Sequence, residues 1–393
     1  MNTKMKYLFC CLACCLVWPW GGCKQAYTPP AIQTNLNLLV VEGVLNGGAG
    51  QPTSIHLSRS QEIGDSSLAP PIPELQAKIV IQGDGGDNYT LLEQGNGTYL
   101  SGNITLNTTR KYRLQINTVN GAQYISDYVP VLKSAPIDSL TWQQQNDVTI
   151  YVTTHDPANA SHYYRWDYVE TWEYQSPLQS ILAVKNHRIY YTDSFTNPSL
   201  QTRVCWETAN STNISTGSSV GLDADVISQA PVATVIQGSS KLSTRYSILV
   251  NQYVLTQPAY QYWSILQKNT QQMGSLFDAQ PAQLTGNIHR VNNPAEPVIG
   301  YLSASSVGQK RIFINHSQVS NWDTVALACE TMTVGQNPND FEDYPYDNPA
   351  FPYYVAEFLP YYFVTGGIVL ARSQCVDCLL RGGVNQTPSF WVP

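Results

Sequence analysis

Charge is scarce in this 393-residue chain. Asp, Glu, Lys and Arg make up 12% of it, and the 21 basic residues form no cluster. Reading phosphates takes a basic patch, so the composition argues against nucleic-acid binding. Histidine is scarce as well. His56, His155, His162, His187, His289 and His316 stand singly, with no H-x-H or H-E-x-x-H pair, so the metalloprotease signature is absent. Long apolar runs are lacking too: Tyr7 to Trp20 is fourteen residues, short of the roughly 20 that span a membrane. No internal repeat is found, and nothing favours a carboxylate pair for glycoside hydrolysis, whose spatial pairing leaves no mark in sequence.

What the chain has in quantity is tyrosine (25), tryptophan (9), glycine (26) and proline (24), among many Ser, Thr, Asn and Gln residues. That balance reads as an extracytoplasmic, mainly β protein. The short apolar run follows Lys4 and Lys6 and stops at Gly21-Gly22-Cys23. A basic start, a short apolar stretch and small residues before a cysteine are what a lipoprotein signal peptidase requires. Lipidation is therefore expected at Cys23, after a signal peptide over 1–22. Trp20 departs from the usual aliphatic residue at −3, and Cys14 is a competing site with a truncated apolar region. Removal of 1–22 takes away Lys4 and Lys6 and moves the formal charge from −7 to −9. Residues 23–35 form a polar, proline-containing tether.

Residues 36–135 alternate like strands between turns, over 36–45, 53–58, 77–82, 89–93, 98–100, 111–117 and 123–129. Short strands at that spacing predict an immunoglobulin-like β-sandwich. Asp84 and Asp87 could be calcium ligands, but a Gly-rich hairpin turn is the better reading. A larger β-rich, sandwich-like domain is expected over 136–393, with strands at 147–154, 163–174, 246–255, 311–315 and 361–370. In 163–174 the set Tyr163, Arg165, Asp167 and Val169 alternates with Tyr164, Trp166, Tyr168 and Glu170. Residues 210–221 read as a polar exposed loop. Pro258 followed by Ala259, Tyr262, Trp263, Leu266 and Thr270 at helical spacing predicts one amphipathic helix near 258–272, ended by Gly274. The stretch 337–354 is acidic and aromatic at once. Its Tyr344, Tyr346, Tyr353 and Tyr354 with Asp343 and Asp347 form a candidate ligand or partner surface, or else a loop plugging the end of a sandwich.

Chemistry proper is thin. Gly217-Ser-Ser-Val-Gly221 matches the G-x-S-x-G pattern of a nucleophile elbow, but that pattern needs a strand-to-helix turn in an α/β sheet. His155-Asp156 near His162 could approach a metal, but a turn between strands explains Asp156-Pro157 more simply. Cys375 and Cys378 supply half a zinc set, a redox pair or disulfide partners. With Cys205 and Cys329 as the other candidates in an exported chain, two structural disulfides in one of three connectivities are expected. Pro388 and Trp391 would pack the tail onto the second domain. No metal and no cofactor is expected.

Several blocks resemble the domain-of-unknown-function 4249 family of exported, mostly lipid-anchored Bacteroidota proteins. These are Leu39-Val-Val-Glu-Gly43 and Ile55-His-Leu-Ser-Arg-Ser60, then Tyr246 to Tyr253, Tyr262-Trp263, Gly274 to Asp278, Gly286 to His289 and Ile299-Gly-Tyr301, and the ending Cys-Val-Asp-Cys…Gly-Gly…Pro-Ser-Phe-Trp. Arg290 departs from the pattern, standing where cysteine is common. The resemblance implies an outer-membrane lipoprotein, often beside a TonB-dependent receptor, with no catalytic residues to carry over. Lys-Gln-Ala-Tyr after Cys23 lacks the acidic pair that favours surface export, so either face of the membrane stays open. The function expected is a non-enzymatic lipoprotein that binds a ligand or serves such a receptor in nutrient uptake. Alternatives are a structural or adhesive envelope lipoprotein and, behind it, an unrecognised hydrolase using Ser219 or a carboxylate pair gathered in a cleft.

Overall fold

Strand alternation decides the first body. In a computed structural model the protein is described over residues 37–61, 70–185, 188–191, 202–271, 284–324, 327–334 and 357–391. Its first ten strands are β1 (Leu39–Gly43), β2 (Leu45–Asn46), β3 (Ser54–Arg59), β4 (Ile72–Pro73), β5 (Lys78–Gly83), β6 (Asn88–Gly95), β7 (Thr98–Leu100), β8 (Lys111–Asn117), β9 (Gln123–Ser126) and β10 (Val129–Leu132). Every second residue points inward: Ile79 and Ile81 on β5, and Tyr112, Leu114 and Ile116 on β8, have no exposure. The first strand expected over 36–45 is split. Gly43 has φ +139°, and a Cβ there would lie 2.6 Å from the Ser54 carbonyl oxygen, so the chain kinks where only glycine fits. β1 then pairs antiparallel with β3 while β2 joins the opposite end of the strand order, and the sheet comes close to closing on itself.

The second body holds β11 (Ile137–Gln144), β12 (Val148–His155), β13 (Tyr163–Gln175), β14 (Leu182–Lys185), β15 (Arg188–Tyr191), β16 (Val204–Asn210), β17 (Ser215–Ser218), β18 (Val226–Val235) and β19 (Arg245–Val254). A three-stranded sheet, β11-β12-β18, faces a five-stranded one, and the core lies between them. The alternation in β13 puts Tyr164, Trp166, Glu170 and Trp172 inside and Arg165, Asp167 and Val169 on the outer face. β17 corrects the expected loop over 210–221. Its polar residues pair in register with Tyr163 to Trp166, because an open strand edge takes up backbone groups whatever their side chains.

Helix α1 (Gln257–Gln271) follows, burying Ala259 and Tyr262. The chain then returns to the first body. β20 (Ile288–Arg290) pairs with β9, and β21 (Ala304–Ser305) runs parallel to both β10 and β2. Ile288, Val298, Leu302 and Ala304 complete the first core. β22 (Gly308–Asn315) re-enters the second body at the edge of the five-stranded sheet, whose order is β16-β13-β19-β22 with β17 beside β13.

A small third unit closes the chain. β23 (Thr331–Val334), β24 (Phe358–Val364) and β25 (Gly367–Arg372) form a sheet of order β23-β25-β24, so the single strand expected over 361–370 is a hairpin turning at Gly366 (φ +86°). Among the described residues its buried core is Leu182, Ile368 and Leu370, with Met332, Phe358 and Phe363 packed against them. Two disulfides supply what so few contacts cannot: Cys329–Cys375 closes the unit, and Cys205–Cys378 ties it to β16. Cys375 and Cys378 do not pair with each other; each reaches a different part of the fold. The tail runs on past Gly383, where a Cβ would lie 2.4 Å from the Tyr174 hydroxyl. It ends with Trp391 edge-on to Trp206 and Phe313.

Candidate functional site

The chain crosses between the first two bodies at 132–137, 254–257 and 305–308, and side chains tie these crossings together. The Ser134 amide donates to Ser306 Oγ (2.8 Å), and the Ser306 amide to the Leu132 carbonyl (3.0 Å). Gln252, fully buried, sits at the centre. Its Nε2 donates to the Ala135 carbonyl (2.8 Å) and Thr154 Oγ1 (3.0 Å), and its Oε1 accepts the Trp166 indole N–H (2.8 Å). A buried amide with all these positions filled holds a junction in one geometry.

Beside that junction opens a cleft of about 660 Å³, lined by residues 131–136, 156–158, 160–163 and 254–257. Its floor is apolar: Val131, Ala135, Val254 and Leu255 are buried there. The Tyr163 ring leans on Tyr260 of α1 at 4.9 Å between centroids. Asp156 serves the wall itself. Its carboxylate accepts the Ala158 (2.9 Å) and Ala160 (3.2 Å) amides. Burial alone would raise its carboxyl, but those amides and the Ser161 hydroxyl bond the ionised form and hold it below its ordinary value. Asp156-Pro157 is thus a turn.

Under the cleft wall lies the serine of the G-x-S-x-G stretch. Ser219 is 2% exposed and begins a turn, with the Leu222 amide donating to its carbonyl (3.0 Å). No helix follows it, so the stretch is not a nucleophile elbow. Its hydroxyl donates to Asp225 Oδ1 at 2.5 Å, and Tyr164 donates to Oδ2 at 3.0 Å. Burial, with Asp225 as acceptor, pushes the Tyr164 phenol far above its usual value. His162 Nδ1 lies 3.2 Å from Ser219 Oγ. Because the serine's one proton goes to Asp225, the network assigns the Nδ1 proton to His162 as donor. The order is His–Ser–Asp. A nucleophile needs the histidine to take the serine proton, with the acid behind the histidine. This chain of bonds instead braces His162, which lines the cleft.

The other residues singled out in sequence fall elsewhere. Cys23, His187 and the surface residues Tyr344, Tyr346, Tyr353, Tyr354, Asp343 and Asp347 lie outside the described residues, as does Gly274. Asp87 pairs with Arg110 (2.8 Å) and Asp84 accepts the Lys111 amide (3.3 Å), so the 84–87 stretch is a braced hairpin turn. Arg290 pairs with Glu296, which also accepts the Tyr124 hydroxyl (3.0 Å). Cys205, Cys329, Cys375 and Cys378 are all in disulfides. Among the described residues, no group of three or more His, Cys, Asp or Glu side chains is placed to hold a metal. Sequence reasoning did not single out Gln252 or Asp225. For the former, its place in alternation with Ile248, Val250 and Val254 was the available sign.

A family model described as "Domain of unknown function (DUF4249)" matches residues 24–311. No curated protein matches the chain. A crystal structure of a DUF4785 family protein from Legionella pneumophila aligns at 11% identity over 55% of this chain and 52% of that one, with a TM-score of 0.18. The chain spans about half of that structure's length, and a likeness of that score carries no argument.

Proposed function

Because the chain belongs to the domain-of-unknown-function 4249 family, we propose that it is a non-enzymatic, lipid-anchored outer-membrane protein that captures a ligand or passes it to a TonB-dependent transporter. The observation that carries this reading is the apolar-floored cleft beside a junction locked by Gln252. Ligand sites favour such boundaries between bodies, and a site that needs no ordering on binding loses less affinity. Two disulfides suit an oxidising compartment. The bracing of Ser219 supports binding over hydrolysis.

The test is purification of the untagged protein from native membranes. A co-purifying transporter or retained small molecule, together with release of the protein on Cys23→Ser, is the expected result. An intact, lipidated protein that brings neither down, from a strain whose deletion mutant loses attachment but not uptake, moves the assignment to adhesion. Ester hydrolysis abolished by Ser219→Ala would overturn the non-enzymatic reading.

A further inference from the structure

Among the described residues, the outer face of the five-stranded sheet is covered at its two ends and half-exposed between them. At one end α1 lays Trp263 over the Arg165 guanidinium (4.3 Å). At the other the C-terminal tail packs Trp391 against Trp206 and Phe313. The band between carries a ladder of planar polar groups in cross-strand register. Gln309 Nε2 donates to Asn251 Oδ1 (2.8 Å), and Asn251 Nδ2 to Asp167 Oδ1 (2.8 Å). Arg311 stands in this band, on edge strand β22 opposite Leu249.

Arg311 is unlike the other arginines of this face. Its guanidinium lies 3.6 Å from the centre of the Phe390 ring, and Nη1 donates to the buried Ser247 Oγ (2.9 Å). It has no carboxylate partner among the described residues, and burial alone lowers its pKa. Arg165 is paired with Asp167 (3.2 Å), and Arg245 lies over the Phe313 ring and opposite Glu173. A guanidinium has five N–H donors in one plane, and stacking on a ring fixes that plane. With one donor given to Ser247, the rest have a fixed direction and meet no acid among the described residues. Half-burying a cation without a counter-charge is costly, and an incoming anion removes that cost.

We infer that Arg311 anchors a second binding site, distinct from the cleft, that takes a carboxylate-bearing monoanion laid beside the Asn251 and Gln309 amides. A carboxylate matches the planar fork. A phosphate ester, carrying roughly −1.5 to −2, would meet one unpaired cation in a chain of net charge −7.

The experiment uses the full exported chain with both disulfides intact, titrated calorimetrically with four probes: galacturonate, galactose, N-acetyl-alanyl-alanine and inorganic phosphate. Galacturonate and the acetylated dipeptide are expected to bind, and galactose and phosphate are not. Which of the two carboxylates binds more tightly identifies a uronate or a peptide terminus as the source. Arg311→Lys keeps the charge and loses the fork, so affinity falls about tenfold or more. Phe390→Leu, which frees the guanidinium plane, weakens binding by a smaller factor. His162→Ala leaves these affinities unchanged, which separates failure here from failure of the cleft reading. Carboxylate binding that survives in Arg311→Lys, equal binding of galactose, tighter binding of phosphate, or no carboxylate binding at all would each overturn the site. Arg311→Lys is scored on protein whose circular dichroism matches the parent, so a folding defect is not read as lost recognition.

Discussion

Gln252 shows how much one side chain decides. Replacing it with leucine leaves the Trp166 indole N–H buried without its partner, while the Ala135 carbonyl keeps the Ser134 hydroxyl at 3.1 Å. One such orphaned group costs about 1–3 kcal/mol, so Gln252→Leu should lower stability by about 2 kcal/mol in urea denaturation. His155 offers a second check at this scale. Its Nδ1 lies 2.7 Å from Asp138 Oδ2, and that hydrogen bond raises its pKa above the ordinary histidine value. The stabilisation from this pair is fully present below the unfolded-state pKa and is lost as pH rises through the folded one. In an NMR titration, Asp138→Asn should bring the His155 midpoint back down. A midpoint that stays raised would show another cause.

Among the elements, the tail is the one whose role can be measured most directly. Trp391 is 9% exposed against two rings, and Trp391→Ala should cost about 3 kcal/mol, read as a fall in thermal midpoint. How far such elements are legible beforehand depends on where their partners lie. Lys111–Asn117 and Thr98–Leu100 are found at their expected bounds, because alternation and flanking turns are local. The break at Gly43 and the hairpin at Gly366 are also local, but a glycine within an apolar run has several explanations. The return of 284–305 to the first core has no local mark: Ile288 and Leu302 are apolar wherever they pack. The candidate site divides the same way. His162 and Ser219 stood out by residue type, while their bond through Asp225 depends on the approach of β13 to the turn after β17.

At the scale of the whole molecule, the disulfides and the triple crossing govern how it comes apart. Cys329 and Cys375 close a loop of sequence separation 46, and the chain-entropy relation puts such a bond at about 4 kcal/mol. Replacing both with serine should release the third unit, seen as fast amide exchange in β23 to β25, while exchange in β5 and β8 stays slow. The first two bodies share three crossings, so they should unfold in one transition. Two resolved calorimetric peaks from them would contradict the locked junction.

The pairing pattern also constrains how the protein is made. Of its four disulfide cysteines, a chain that emerges from its N-terminus presents Cys205, then Cys329, then Cys375 and Cys378. The first two to appear together are not native partners. Cys205 must remain unspent through the appearance of two other thiols and wait for the fourth. Oxidation in order of arrival gives the wrong bond, so correct maturation depends on a delay until translation reaches the tail, or on a helper that exchanges bonds.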